Sequence, residues 1–174
     1  SIAVGQDLPY TFVFTHYEFV GDPHNPEGVR YLPNGRPISR ASDGSTIAMS
    51  GQGGWEPSTG QGAGGGEYTI TSPAGAMTAQ GTWRVIDFVS FEQLELDDWW
   101  GIPGFREEGW PPDSTSFSGF LTVNVNLSNL GDAVLRAWCL MPAAGMMDEH
   151  VGDGISLSGP NLNFTLTEEM EMSM

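Results

Sequence analysis

Met49–Phe91 reads MSGQGGWEPSTGQGAGGGEYTITSPAGAMTAQGTWRVIDFVSF, and the fold class turns on this stretch. It is expected to hold an extended segment reaching Trp55, a glycine-rich connection, and two strands joined across Pro73-Ala74-Gly75. Gly51, Gly53 and Gly54 lead into Trp55, Gly64 to Gly66 lead into Tyr68, and Gly81 leads into Trp83. Small residues beside large aromatics mark a sheet that bends sharply while a ring covers the missing side chain. In the second arm Trp83, Val85, Val89 and Phe91 alternate with Thr82, Arg84 and Ser90. The same alternation puts Asp87 on the apolar side, with Ile86 and Phe88 on the other. An inward acid is costly unless hydrogen-bonded or lining a polar cavity, so Asp87 becomes a candidate functional residue.

Upstream, Tyr10–Val20 (YTFVFTHYEFV) reads as one strand. Tyr10, Phe12, Phe14 and His16 share one face, and Val13, Tyr17 and Phe19 share the other. Residues 21–44 follow as an excursion broken by prolines and by Asn34-Gly35, with a short strand around Val29 to Leu32. Arg30, Arg36 and Arg40 make it the one locally basic part of the chain. They fit either surface pairs with nearby carboxylates or an anion-gripping loop over a pocket mouth.

Downstream, residues 92–116 set Trp99, Trp100, Phe105 and Trp110 among acids, glycines and prolines. This long connection reads as an Ω-like loop folding its aromatics inward, as a lid, or as an aromatic platform for sugar. From Phe117 to Ser128 the alternation is strict, with Phe117, Leu121, Val123, Val125 and Leu127 on one face. Asn129 to Asp132 turns into Ala133–Met141, and Ile155–Leu157 and Leu162–Thr167 close the chain. The expectation is a single all-β domain over residues 1–174, an antiparallel β-barrel of about 7–9 strands with long loops. A two-sheet sandwich is the alternative.

Composition narrows the functions. There are 22 acidic residues, 6 arginines and no lysine, for a formal charge of −16. Such a surface repels phosphate backbones, so nucleic acid is excluded as a partner, and a Schiff-base mechanism is excluded with lysine. Cys139 stands alone in the apolar run AVLRAWCLM, so no intrachain disulfide or thiolate cage forms. No apolar run is long enough to span a bilayer as a helix. A first residue of Ser rather than Met leads to the expectation that a leader or tag preceded it.

His16, His24 and His150 lie in separate segments without metal-ligand spacing, so no metal or other cofactor is expected. Alternate Met170, Met172 and Met174 read as a terminal tail rather than a copper site. The ionisable residues on strands are His16, Glu18 and Asp87. Projecting into a dry cavity, they would form a proton-transfer set. The ligand-contacting set is Phe12, Phe14, Trp55, Tyr68 and Trp83 inside, with Trp99, Trp100, Phe105 and Trp110 as the cover.

Gly53-Gly54-Trp55, Gly64-Gly65-Gly66-Glu67-Tyr68-Thr69, Gly81-Thr82-Trp83 and Ser90-Phe91 together resemble a set of uncharacterised β-rich bacterial and fungal proteins. The likeness spans Ile47 to about Leu157, includes the strand with Leu135 and Cys139, and implies no catalytic residue. In architecture the chain is also similar to small barrels of the allene-oxide-cyclase-like and spirotetronate-cyclase-like groups. No active-site motif is shared, so the likeness implies a fold and not an activity.

Three functions compete. The first is a barrel binding an apolar small molecule, and cyclising or isomerising it through shape and proton transfer without a cofactor. The second is an extracellular assembly domain forming homo-oligomers through edge strands and the tryptophan loop. The third is a carbohydrate-binding module stacking sugar on Trp99, Trp100 and Trp110.

Overall fold

The computed structural model describes residues 8–22, 25–32, 35–93, 106–109, 119–139 and 153–167. Among them are thirteen strands and no helix. In chain order these are β1 (Tyr10–Val13), β2 (His16–Asp22), β3 (Asn25–Leu32), β4 (Ile38–Arg40), β5 (Thr46–Glu56), β6 (Gln61–Thr71) and β7 (Met77–Gln93). They continue as β8 (Arg106–Glu108), β9 (Gly119–Leu127), β10 (Gly131–Cys139), β11 (Asp153–Gly159), β12 (Leu162–Phe164) and β13 (Leu166–Thr167). No helix of the described residues is long and apolar enough to cross a membrane. With Cys139 the sole cysteine, the chain has no internal disulfide.

One large antiparallel sheet runs β12-β11-β10-β9-β7-β6-β5-β4-β13. β1 pairs with the C-terminal half of β5, from Tyr10 opposite Trp55 to Val13 opposite Gln52, while β4 pairs with its N-terminal half. β2, β3 and β8 form a smaller sheet, in which β2 and β3 are antiparallel and β3 and β8 parallel. The path of the large sheet does not return on itself as a closed ring.

Chain direction nonetheless links its two ends. Leu162–Phe164 pairs with β11, and two residues later Leu166–Thr167 pairs with β4. Ser39 on β4 fastens this stretch: its buried Oγ lies 2.9 Å from the carbonyl of Phe164 and 3.2 Å from that of Leu166.

The core follows from alternation. Leu121, Val123, Val125 and Leu127 are buried along β9, while the residues between them remain partly exposed. Ile47, Met49, Tyr68, Trp83, Leu135, Ile155 and Leu157 join the same buried cluster from the neighbouring strands. Each such side chain contributes on the order of 1.5–3 kcal/mol of transfer free energy, so one face of the large sheet supplies most of the stabilisation.

Three sequence expectations change. The run Gln61-Gly62-Ala63-Gly64-Gly65-Gly66 is not a connection: it is the first half of β6, paired in full with β5. The reversal comes earlier, at Pro57–Gly60, where Thr59 and Gly60 donate to the Glu56 carbonyl. Tyr10–Val20 is not one strand either, because it breaks after Val13 and its halves join different sheets. The break is pinned by Phe14, whose N–H donates to Gly51 and whose carbonyl accepts from Gly35. Finally, the 21–44 excursion carries both β3 and β4, and so supplies strands to both sheets.

Candidate functional site

Cross-strand partners in an antiparallel pair share a face. Gly62 lies opposite Trp55, Gly64 opposite Gly53, and Gly66 opposite both Gly51 and Trp83. Phe12 lies opposite Gly53 from the other side. Gly51, Gly53, Gly62, Gly64 and Gly66 therefore leave a bare patch on the inner face of β5 and β6. At Gly53 the bareness is obligatory, because a Cβ would sit 2.6 Å from Cε1 of Phe12. Gly64 adds a backbone reason: its φ of +133° is one that L side chains rarely adopt.

Rings from the flanking strands gather over this floor. Trp55 stacks with Tyr10 of β1 (centroids 5.4 Å apart, 18° between planes) and with Phe88 of β7 (6.1 Å, 7°). Phe91 tilts against Trp55 at 5.4 Å, and Phe12 lies 6.4 Å from Trp55 and 6.5 Å from Trp83. Phe14 completes the group against Phe12 and Trp83 at 5.9 Å each. All fall in the range where aromatic pairs attract beyond simple burial. Trp55 and Phe88 sit on strands separated by β6. Their rings meet because the position between them, Gly62, has no side chain.

Burial is graded across the group. Trp83, Trp55 and Phe14 are buried, Phe12, Phe88 and Phe91 are partly buried, and Tyr10 is 40% exposed. The rim thus opens at the end of the sheet where β1 begins, β5 ends and β6 starts.

Polar tips are satisfied with one exception. Trp83 Nε1 donates to the Ser50 carbonyl at 2.9 Å, and the Tyr68 hydroxyl donates to Ser128 at 2.5 Å. Tyr68 covers Gly81, its cross-strand partner, where a Cβ would lie 3.0 Å from the ring. Trp55 Nε1 is buried and finds no acceptor among the described residues.

The proposed ionisable set is divided between the two sheets. Between Val85 and Asp87 the β7–β9 register shifts by one residue, a β-bulge at Ile86. The extra residue reverses the alternation, so Asp87 faces outward with Asn124 and Phe88 faces inward opposite Val123. Asn124 donates to the Asp87 carboxylate at 2.6 Å. A second shift, between Phe88 and Ser90, leaves Val89 51% exposed and returns Phe91 to the inside opposite Leu121. His16 and Glu18 lie on β2 in the smaller sheet, opposite Leu32 and Arg30, and Glu18 is exposed. Trp99, Trp100, Phe105 and Trp110 lie outside the described residues, as do His24, His150 and the methionine tail. The described residues contain no group of three or more metal-binding side chains.

Two other surface features are legible. Arg30 pairs with Glu108 at 3.0 Å, both side chains well exposed, and Arg36 donates to Thr69 Oγ1 at 3.2 Å. These arginines are occupied by surface contacts, the former worth about 0–1 kcal/mol. The outer face of the large sheet also carries an open groove of about 370 Å3, lined by Ile86, Asp87, Asn124, Asp132, Val134 and Pro160 among others.

No family model, curated protein or solved structure matches this chain. Its function must therefore be read from its own site.

Tyr10, Phe88 and Phe91 join the ring group beyond the ligand-contacting set expected from sequence. Tyr10 shares the face of Phe12 as its strand alternation implies, whereas Phe88 turns inward only through the first register shift of β7, and the second brings Phe91 back to the inside. One signal was present. Glycines at 51 and 53, and again at 62, 64 and 66, recur at the two-residue period of one strand face.

Proposed function

We propose that the protein binds a flat, neutral, apolar small molecule at the open rim of its aromatic group, within a β-barrel whose wall Leu162–Thr167 completes. One observation carries the reading: rings from β1, β5 and β7 gather over a side-chain-free floor and remain partly exposed at one end of the sheet. A ligand ring entering there packs as the protein's own rings do, with a few polar groups left to orient it. The barrel reading is supported by one stretch of chain hydrogen-bonding to both β11 and β4. A formal charge of −16 weighs against anionic ligands and favours a neutral one.

The proposal is one of binding. Proton-transfer catalysis requires a titratable group within reach of the bound molecule. Asp87 faces away from the rings, and His16 and Glu18 lie on β2 in the other sheet. Titration with N-phenyl-1-naphthylamine, a neutral apolar fluorophore, tests the reading. Saturable one-to-one binding is expected, weakened by Phe91→Ala and retained in Asp87→Asn. Absence of saturation, or loss in Asp87→Asn with Phe91→Ala unaffected, would overturn it.

A further inference from the structure

The inner face of the large sheet buries three aromatic side chains with polar tips, and the chain treats them unequally. Trp83 and Tyr68 each donate to a backbone carbonyl, of Ser50 and Ser128 respectively. Trp55 is 94% buried, taking its 6% relative exposure from the whole, and its Nε1 has no acceptor among the described residues. A buried donor without a partner is costly, and buried indole N–H groups usually find an acceptor. Trp55 is also the residue on which the rim rings Tyr10, Phe88 and Phe91 converge. Among the described residues, the ring group's unpaired donor therefore belongs to the residue on which its rim rings pack.

We infer, on the binding reading above, that the ligand carries a hydrogen-bond acceptor, a carbonyl or ether oxygen, that receives the Trp55 indole N–H while its apolar body packs on Phe12, Phe88 and Phe91. The pocket would then distinguish ligands by one atom. An apolar site discriminates weakly between shapes of similar size, whereas a buried donor left unpaired penalises the analogue that lacks the acceptor.

A matched pair of probes tests this. 2-Acetylnaphthalene and 2-isopropenylnaphthalene have nearly the same shape, but only the first has an acceptor oxygen. The wild-type protein is expected to bind the ketone about three- to tenfold more tightly, the range of one neutral hydrogen bond. In Trp55→Phe, which keeps an aromatic ring in place, the preference should vanish or reverse toward the more apolar alkene. Because that variant could repack, a wild-type measurement stands beside it: the Trp55 indole 15N–1H resonance should move downfield with the ketone and not with the alkene. If both probes bind wild type equally and the indole resonance does not respond to the ketone, the inference falls while the binding site stands. If neither probe binds, the binding reading itself has failed.

Discussion

Gly53 is where a single atom decides most. Its missing Cβ is the space that Phe12 occupies, with Cε1 2.6 Å from where that atom would be. Gly53→Ala must displace the Phe12 ring and also part β5 from the Ala63 carbonyl of β6, 2.5 Å from the same point, and overpacking of this kind costs about 1–3 kcal/mol. Urea denaturation should show that loss, together with weakened binding of the naphthyl fluorophore; unchanged stability would mean the ring is not seated on the glycine. Asp43 offers a test of a different sort. The Ser45 backbone N–H donates to its Oδ1 at 2.8 Å, and with the Ser45 side chain holds this exposed carboxyl below its ordinary value of 3.8. A depressed folded pKa gives a contribution present above the unfolded value and lost as pH falls through the folded one. NMR titration of the Asp43 carboxyl should therefore give a midpoint below 3.8, and a midpoint at or above it would contradict the turn geometry.

At the scale of elements, the last strands and the bulge in β7 do most to place the site. Ser39 is the one buried polar side chain among the described residues, and its hydroxyl faces the carbonyls of Phe164 and Leu166. Ser39→Ala leaves the buried Phe164 carbonyl without this donor, at a cost of about 1–3 kcal/mol. Hydrogen exchange at the amides of β12 and β13 should accelerate more than at β9, and equal acceleration everywhere would deny Ser39 its fastening role. How far the elements were legible in the sequence depended on what the signal was. The hairpin across Pro73-Ala74-Gly75 and the alternation of β9 were plain, because turn chemistry and burial both act locally. β6 was misread because its glycines suppress the apolar signal that marks a strand. Asp87 was placed on the wrong face because a bulge depends on cross-strand registration, which no local window contains.

For the molecule as a whole, the all-β class was legible. Phe12, Phe14, Trp55 and Trp83 do converge, as their aromatic character suggested, and they do so by packing against one another. What needed the cross-strand register was that Gly51, Gly53, Gly62, Gly64 and Gly66 share one face and leave β5 and β6 bare between those rings. On the proposed function, the binding surface is this floor with its rim of Tyr10, Phe12, Phe88 and Phe91, and the outer groove at Ile86 and Val134 stays empty. The most direct test is the set of intermolecular NOEs from bound 2-acetylnaphthalene. Contacts to ring protons of Trp55, Phe12, Phe88 and Phe91 are expected, and contacts to Ile86, Val134 and Pro160 instead would move the site to the outer groove and overturn the proposal.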